Sequence, residues 1–147
     1  MGKNNHMEQM TLTFPSDLKY LGAVDAAVQD LARELLFSQD AINDLGTALI
    51  EACSNAIEHG NKFSPEKRVS VTLRFNGRTF TAVVKDEGAG FDYEKALREE
   101  PHPDPMSERG RGILIMRAFT DGLTFRYADG GMNVELTKLR GDDDPSE

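Results

Sequence analysis

Glu51 and Asn55 stand four residues apart in a segment of helical pattern, and Asp86-Glu-Gly-Ala-Gly90 follows an alternating apolar run further along. Residues four apart on a helix share a face, so Glu51 and Asn55 can point at one ligand, with His59 a further turn along. A glutamate can take a proton from an attacking hydroxyl or water, and an asparagine offers Mg2+ a neutral oxygen beside the charged oxygens of a phosphate. An ionised Asp86 accepts hydrogen bonds and cannot donate, which suits the exocyclic amine of adenine. Gly88 and Gly90 allow a flat or charged ligand to approach the main chain closely. In Ser107-Glu-Arg-Gly-Arg-Gly112, Gly110 and Gly112 precede the apolar run Ile113 to Met116. Glycines opening a helix offer N–H groups and a positive dipole end to phosphate.

Each signal has an ordinary reading by itself. Asp-Glu-Gly-Ala-Gly alone is a strand-ending turn, and Glu51 with Asn55 alone is a solvated helix face. Their order and helical context point together to a nucleotide site. Arg109 and Arg111 either reach phosphates or are plain surface arginines. His59 reads as a helix-end residue favoured by the C-terminal dipole, or as a group approaching phosphates. His6 and His102 have no metal-ligand spacing and receive no role.

The elements that must position these residues follow from patterning. Residues 10–14 alternate as a first strand, ended by Pro15, with Ser16 and Asp17 as a helix start signal. Val24, Val28, Leu31 and Leu35 recur at helical spacing. Asp40 can cap a second helix with the apolar set Ile42, Leu45, Leu49, Ala52 and Ala56, ending near His59-Gly60 and carrying Glu51 and Asn55. Val69, Val71, Leu73 and Phe75 alternate up to Asn76-Gly77, and Phe80, Ala82 and Val84 alternate after it, a hairpin with a primed turn that places Asp86 just past its second strand. A short helix over residues 93–99 is expected before Pro101-His-Pro-Asp-Pro105, where prolines imply an ordered loop or a lid over residues 101–112. Residues 112–119 are helical, and residues 124–127 and 132–139 pair through Asp129-Gly-Gly131. Without regular βαβ alternation, the expected class is α+β, a two-layer sandwich whose mixed, mostly antiparallel sheet carries helices on one face.

The chain of 147 residues, 39% hydrophobic, fits one domain with a real core. The expected division is a flexible N-terminus at 1–9, the domain at 10–140 and an acidic disordered tail at 141–147. A net charge of −8 and a pI near 4.9 argue against nucleic acid or anionic membrane as the main partner, since both need a basic face, and favour a basic protein. The single cysteine, Cys53, excludes an internal disulfide and a multi-cysteine metal site, and reads as a packed helix thiol. The absence of a membrane-length apolar run and of a signal-peptide core sets the expectation of a soluble, cytoplasmic protein.

From about Thr11 to Leu139 the chain resembles the GHKL, or Bergerat-fold, ATPases, and among them the small anti-sigma factor serine/threonine-protein kinases. Glu51-Ala-Cys-Ser-Asn55-Ala-Ile-Glu-His59-Gly60 is similar to the N box, Asp86-Glu-Gly88-Ala-Gly90-Phe to the first glycine box, and Arg109-Gly110-Arg-Gly112-Ile-Leu-Ile-Met to the second. The resemblance implies ATP bound with adenine on Asp86, Mg2+ held by Asn55 with the phosphates, Glu51 as general base and a lid between Pro101 and Gly112. The implied activity is sequestration of a sigma factor and phosphorylation of a serine or threonine on an anti-anti-sigma, STAS-type protein, by a homodimer. The alternative is a nucleotide-dependent partner-binding module of the same fold without catalysis. The ATP-binding half of a histidine kinase is disfavoured because it needs a helical hairpin with a phosphoacceptor histidine, and the gyrase, mismatch-repair and chaperone relatives are much larger. One departure stands out: the family commonly has Gly-Thr on its last strand, where the threonine supports the adenine contact, and this chain has Gly131-Met132.

Overall fold

The computed structural model describes residues 8–88 and 108–140. The chain runs β1 (Glu8–Pro15), α1 (Leu21–Glu34), α2 (Gln39–Asn55), β2 (Arg68–Phe75), β3 (Thr79–Lys85), α3 (Glu108–Ala118), β4 (Gly122–Ala128) and β5 (Gly131–Leu139). The strands form one five-stranded sheet in the order β1-β2-β3-β5-β4, and every neighbouring pair is antiparallel. This is the expected α+β class, with the sheet at the antiparallel end of the expectation.

Side chains alternate between the faces of a strand, and that alternation decides which face is dry. Val69, Val71 and Leu73 of β2, Phe80, Ala82 and Val84 of β3, and Val134 and Leu136 of β5 are buried. The register sets Val71 opposite Val84, Leu73 opposite Ala82 and Val84 opposite Val134, so these residues make one apolar face. Ile42, Leu45, Leu49 and Ala52 of α2, Val24 and Val28 of α1, and Ile113 and Met116 of α3 join them in a single core cluster. Full burial of each large apolar side chain contributes roughly 1.5–3 kcal/mol. The opposite face is polar, with Thr11 and Thr72 hydroxyls 3.1 Å apart and Thr13 and Ser70 3.3 Å apart.

Several local signals are used differently from expectation. Ser38, not Asp40, caps α2 by accepting the Ala41 N–H at 3.1 Å. Asp40 lies in the first turn, where its charge meets the positive end of the helix. Asp17 caps a short 3-10 turn by accepting the Lys19 N–H at 3.0 Å, while Ser16 is buried and donates to the Lys67 carbonyl at 2.6 Å. The hairpin at Asn76-Gly77 has positive φ at Gly77 alone, 108°, the first central residue, as the type II′ form of a primed turn has it, and the Asn76 side chain accepts the Thr79 N–H at 3.2 Å. A type I′ turn needs positive φ at both central residues; that geometry occurs at Asp129, 54°, and Gly130, 80°, between β4 and β5.

β1 begins at Glu8 instead of Met10, because Glu8 and Gln9 still pair with Phe75 and Arg74. The expected helix at 93–99, the proline run at 101–105, most of the expected lid and the acidic tail lie outside the described residues. Among those described, no helix is long and apolar enough to cross a membrane.

Candidate nucleotide site

The helix carrying Glu51 and Asn55 does not end in an ordinary cap. Past Asn55 it widens into a π turn, Ala56–Gly60, and the Asn61 N–H donates to the Ala56 carbonyl at 2.8 Å. Single π turns in helices occur often at functional sites. Here the turn delivers Gly60 to Asp86: a Cβ on Gly60 would fall on the Asp86 carboxylate. Only glycine allows that approach. His59 stands on the same π turn, half-buried.

Asp86, 5% exposed, is held by backbone. Its Oδ1 accepts the N–H of Gly88 at 2.9 Å and of Met132 at 3.1 Å, and its own N–H donates to the Met132 carbonyl at 3.1 Å. A Cβ on Gly131 would strike the Asp86 carbonyl, and one on Gly88 would strike the Gly60 carbonyl. The exit of β3, the π turn and the start of β5 therefore meet backbone to backbone. Two donors fix Oδ1, and Oδ2 is the oxygen turned toward Gly60. A carboxylate anchored through one oxygen can offer the other to a donor such as an exocyclic amine. Gly88 thus serves an internal crossing, and Gly90 lies outside the described residues.

The second part of the site lies between α2 and α3. Glu51, Ser54, Asn55 and Glu58 line a cavity of about 220 Å³ with Arg111 and Ile115. His59 is not among the lining residues. Gly112 packs on this cluster so closely that a Cβ there would stand 3.1 Å from Glu51 Oε1 and 3.2 Å from Asn55 Nδ2. α3 starts at Glu108, so Gly110 and Gly112 lie inside its first turns instead of preceding it. Gly112 falls past the residues whose N–H groups a helix leaves unbonded, and its contribution is room for close approach. The Arg109 side chain lies outside the described part of the chain.

Asn55 is 6% exposed, and its Nδ2 has no hydrogen-bond partner among the described residues. A buried amide left so costs about 1–3 kcal/mol, which a ligand could relieve. Turned over, the same amide presents its oxygen to a cation. Among the described residues no group of three or more His, Cys, Asp or Glu could hold a metal. Mg2+ in phosphate sites needs only one or two protein oxygens besides the phosphates, and the Asn55 amide oxygen can supply one.

Cys53, between Glu51 and Asn55 in sequence, is fully buried, and burial pushes its thiol up to about 12. It carries almost no thiolate at neutral pH and is a packing residue. Sequence reasoning missed Ser54 and Glu58 as lining residues of the cavity, the crossing of Gly131 over Asp86, and Asn61. The last shows only as an asparagine after a helix-ending glycine, an ordinary turn signal.

The profile of the histidine kinase-like ATPase domain family matches residues 14–138. The serine-protein kinase RsbW of Bacillus licheniformis is 30% identical over 131 residues, which cover 85% of this chain and 81% of that protein. The serine-protein kinase RsbW of Bacillus subtilis is 26% identical over 140 residues, 91% of this chain and 87% of that protein. Among solved structures, the RsbU and RsbW domains of a Mycobacterium tuberculosis protein share the fold with a TM-score of 0.65 at 20% identity. That match covers 90% of this chain and 32% of the solved one. The histidine kinase domain of a blue-light activated histidine kinase from Erythrobacter litoralis shares it with a TM-score of 0.54 at 15% identity, over 86% of this chain and 62% of that one.

Proposed function

Because the chain belongs to the histidine kinase-like ATPase domain family and, within it, to the serine-protein kinase RsbW group, we propose that it is an ATP-dependent anti-sigma factor kinase. In this reading it sequesters a sigma factor and transfers the γ-phosphoryl of ATP to a serine or threonine of an anti-anti-sigma, STAS-type partner. The observation that supports it is the close approach of Gly112 to Glu51 and Asn55, the residues proposed for base and metal work.

Asp86 would accept the adenine amine through Oδ2, held in place by the bonds to Oδ1. Asn55 and the phosphate oxygens would hold Mg2+, which supplies charge neutralisation for the transferring phosphoryl group. Glu51 would take the proton of the acceptor hydroxyl as its oxygen bonds to the γ-phosphorus and the bond to the β–γ bridging oxygen breaks, releasing ADP. Arg111, on the wall of the same cavity, would face the phosphates from α3, and Gly110 and Arg109 belong to the same turn. His59, on the π turn, does not line this cavity and takes no part in the proposed transfer. The acidic chain, −8 overall, complements a basic sigma surface. A homodimer in the cytoplasm completes the reading.

The test is incubation with γ-labelled ATP, Mg2+ and proteins of the host cell. The expected result is label on a serine or threonine of a protein that also binds this chain. No labelled protein, with ATP and a sigma factor still bound, would leave the non-catalytic binding module in its place.

A further inference from the structure

Asn61, at the exit of the π turn, is 1% exposed and uses every polar group it carries. Its N–H donates to the Ala56 carbonyl at 2.8 Å, and its carbonyl accepts the Ser64 N–H at 2.9 Å. Its side-chain amide donates to Ser16 Oγ at 2.8 Å and to the Arg68 carbonyl at 3.1 Å, while its Oδ1 accepts the Glu87 N–H at 2.8 Å. Ser16 in turn donates to the Lys67 carbonyl at 2.6 Å, and Glu87 Oε1 accepts the Arg68 N–H at 2.7 Å. One side chain therefore ties the exit of β1, the end of the π turn and the start of β2 to the residue that follows Asp86.

We infer that Asn61 is the positioning residue that aims the Asp86 carboxylate, an inference that rests on the proposed adenine role of Asp86. The backbone of Asp86 is pinned on both sides. Its N–H is bonded to the Met132 carbonyl, and the next N–H, that of Glu87, is bonded to Asn61 Oδ1. With both peptides fixed, the direction of the Asp86 Cα–Cβ bond is fixed, and the Gly88 and Met132 N–H groups on Oδ1 then set the rotation of the carboxylate. Gly60, the neighbour of Asn61 in sequence, forms the wall against which that carboxylate lies. Asn61 thus sets the peptide that carries the carboxylate and the surface behind it, and recognition is lost with small displacements of such a group.

The side chain cannot be replaced without loss. Aspartate keeps the acceptor for Glu87 but has no donor for Ser16 or the Arg68 carbonyl. Glutamine adds a methylene where the site is closed. Alanine leaves the Glu87 N–H and the Arg68 carbonyl without this partner. A purely structural asparagine would lower the melting temperature and leave the affinity of the folded protein alone. A positioning residue changes affinity, and only while Asp86 is present.

The test is a double-mutant cycle on the full chain, read by calorimetric titration of ATP well below the melting midpoint of every variant. Asn61→Ala and Asn61→Asp should each weaken ATP binding roughly tenfold, and adding Asn61→Ala to Asp86→Asn should cost less than about twofold more. Ser16→Ala, which removes one support of Asn61, should cost about threefold and keeps the test open if Asn61→Ala does not fold. Wild-type affinity in the Asn61 and Ser16 variants, or the same loss with and without Asp86, would overturn the positioning role. Wild-type affinity in Asp86→Asn would instead bring down the adenine reading itself, and the positioning role with it.

Discussion

Met132 donates its backbone N–H to Asp86 Oδ1 at 3.1 Å, so the residue that lacks the hydroxyl expected on the last strand still fixes the carboxylate. The main chain does this whatever the side chain, and the side chain itself is buried on the core face with Val134 and Leu136. Met132→Thr places a hydroxyl there. ATP affinity should rise severalfold, about the 1 kcal/mol of one neutral hydrogen bond, while the lost apolar volume lowers stability by roughly 1–3 kcal/mol. Calorimetry and a thermal melt read the two changes separately; affinity unchanged or lower would remove the hydroxyl from the account of the site.

Gly112→Ala should strike the site without unfolding the protein. Its new methyl would stand 3.1 Å from Glu51 Oε1 and 3.2 Å from Asn55 Nδ2, so these groups must give by a few tenths of an ångström. Phosphoryl transfer should fall severalfold, below the roughly 10²-fold of a full 1 Å misplacement, with the melting temperature nearly unchanged. Wild-type turnover would mean that α3 does not press on these residues during the reaction.

Glu51→Ala and Asn55→Ala separate chemistry from binding. The first should bind ATP nearly normally and lose about 10²–10⁴-fold in transfer rate. The second should weaken both Mg·ATP binding and turnover, because it removes the proposed metal contact. Single-turnover rates at saturating ATP, beside binding isotherms, decide between these patterns. Equal behaviour of the two variants would dismiss the division of labour.

Cys53 gives stability an alkaline limit. Its thiol is raised by burial from 9.0 to about 12, so between these values the unfolded chain ionises and the folded chain does not. The folded state then binds more protons, and its stability falls as pH rises, by up to ~1.4 kcal/mol per pH unit from this group. Urea unfolding of wild type and Cys53→Ala from pH 8 to about pH 10.5 checks this: the variant should show the flatter decline above about pH 9. Parallel declines would assign the alkaline loss to other groups.

The periodic parts of the fold were legible in the sequence because alternation and helical spacing report burial directly. Val71 and Leu73 opposite Val84 and Ala82, and Ile42, Leu45 and Leu49 in the same core, are where the pattern put them. Glu51 and Asn55 share a helix face, as a spacing of four implies, and the approach of Gly112 to both is visible only in the fold. What the sequence left hidden depends on contacts between distant segments. Asn61 and Ser16 are 45 residues apart, and Glu87 reaches Asn61 across 26. Nothing local distinguishes such a buried asparagine from a turn residue, or marks Ser16 as a core hydroxyl instead of a cap. The crossing of Gly131 over the Asp86 carbonyl is of the same kind: the glycine is visible, and its partner is not.

The most direct measurement is calorimetric titration of Mg·ATP and Mg·GTP into wild type and Asp86→Asn. Asp86 Oδ1 is held by two backbone N–H groups, which leaves Oδ2 for the proposed contact with the adenine amine. Wild type should bind ATP and bind GTP poorly, since guanine sets a carbonyl oxygen against the carboxylate. Asp86→Asn should lose about tenfold to a hundredfold in ATP affinity, the roughly 1.5–3 kcal/mol of a charge-assisted hydrogen bond. Equal ATP affinity in the two proteins, or equal affinity of wild type for ATP and GTP, would contradict the adenine role on which the site is built.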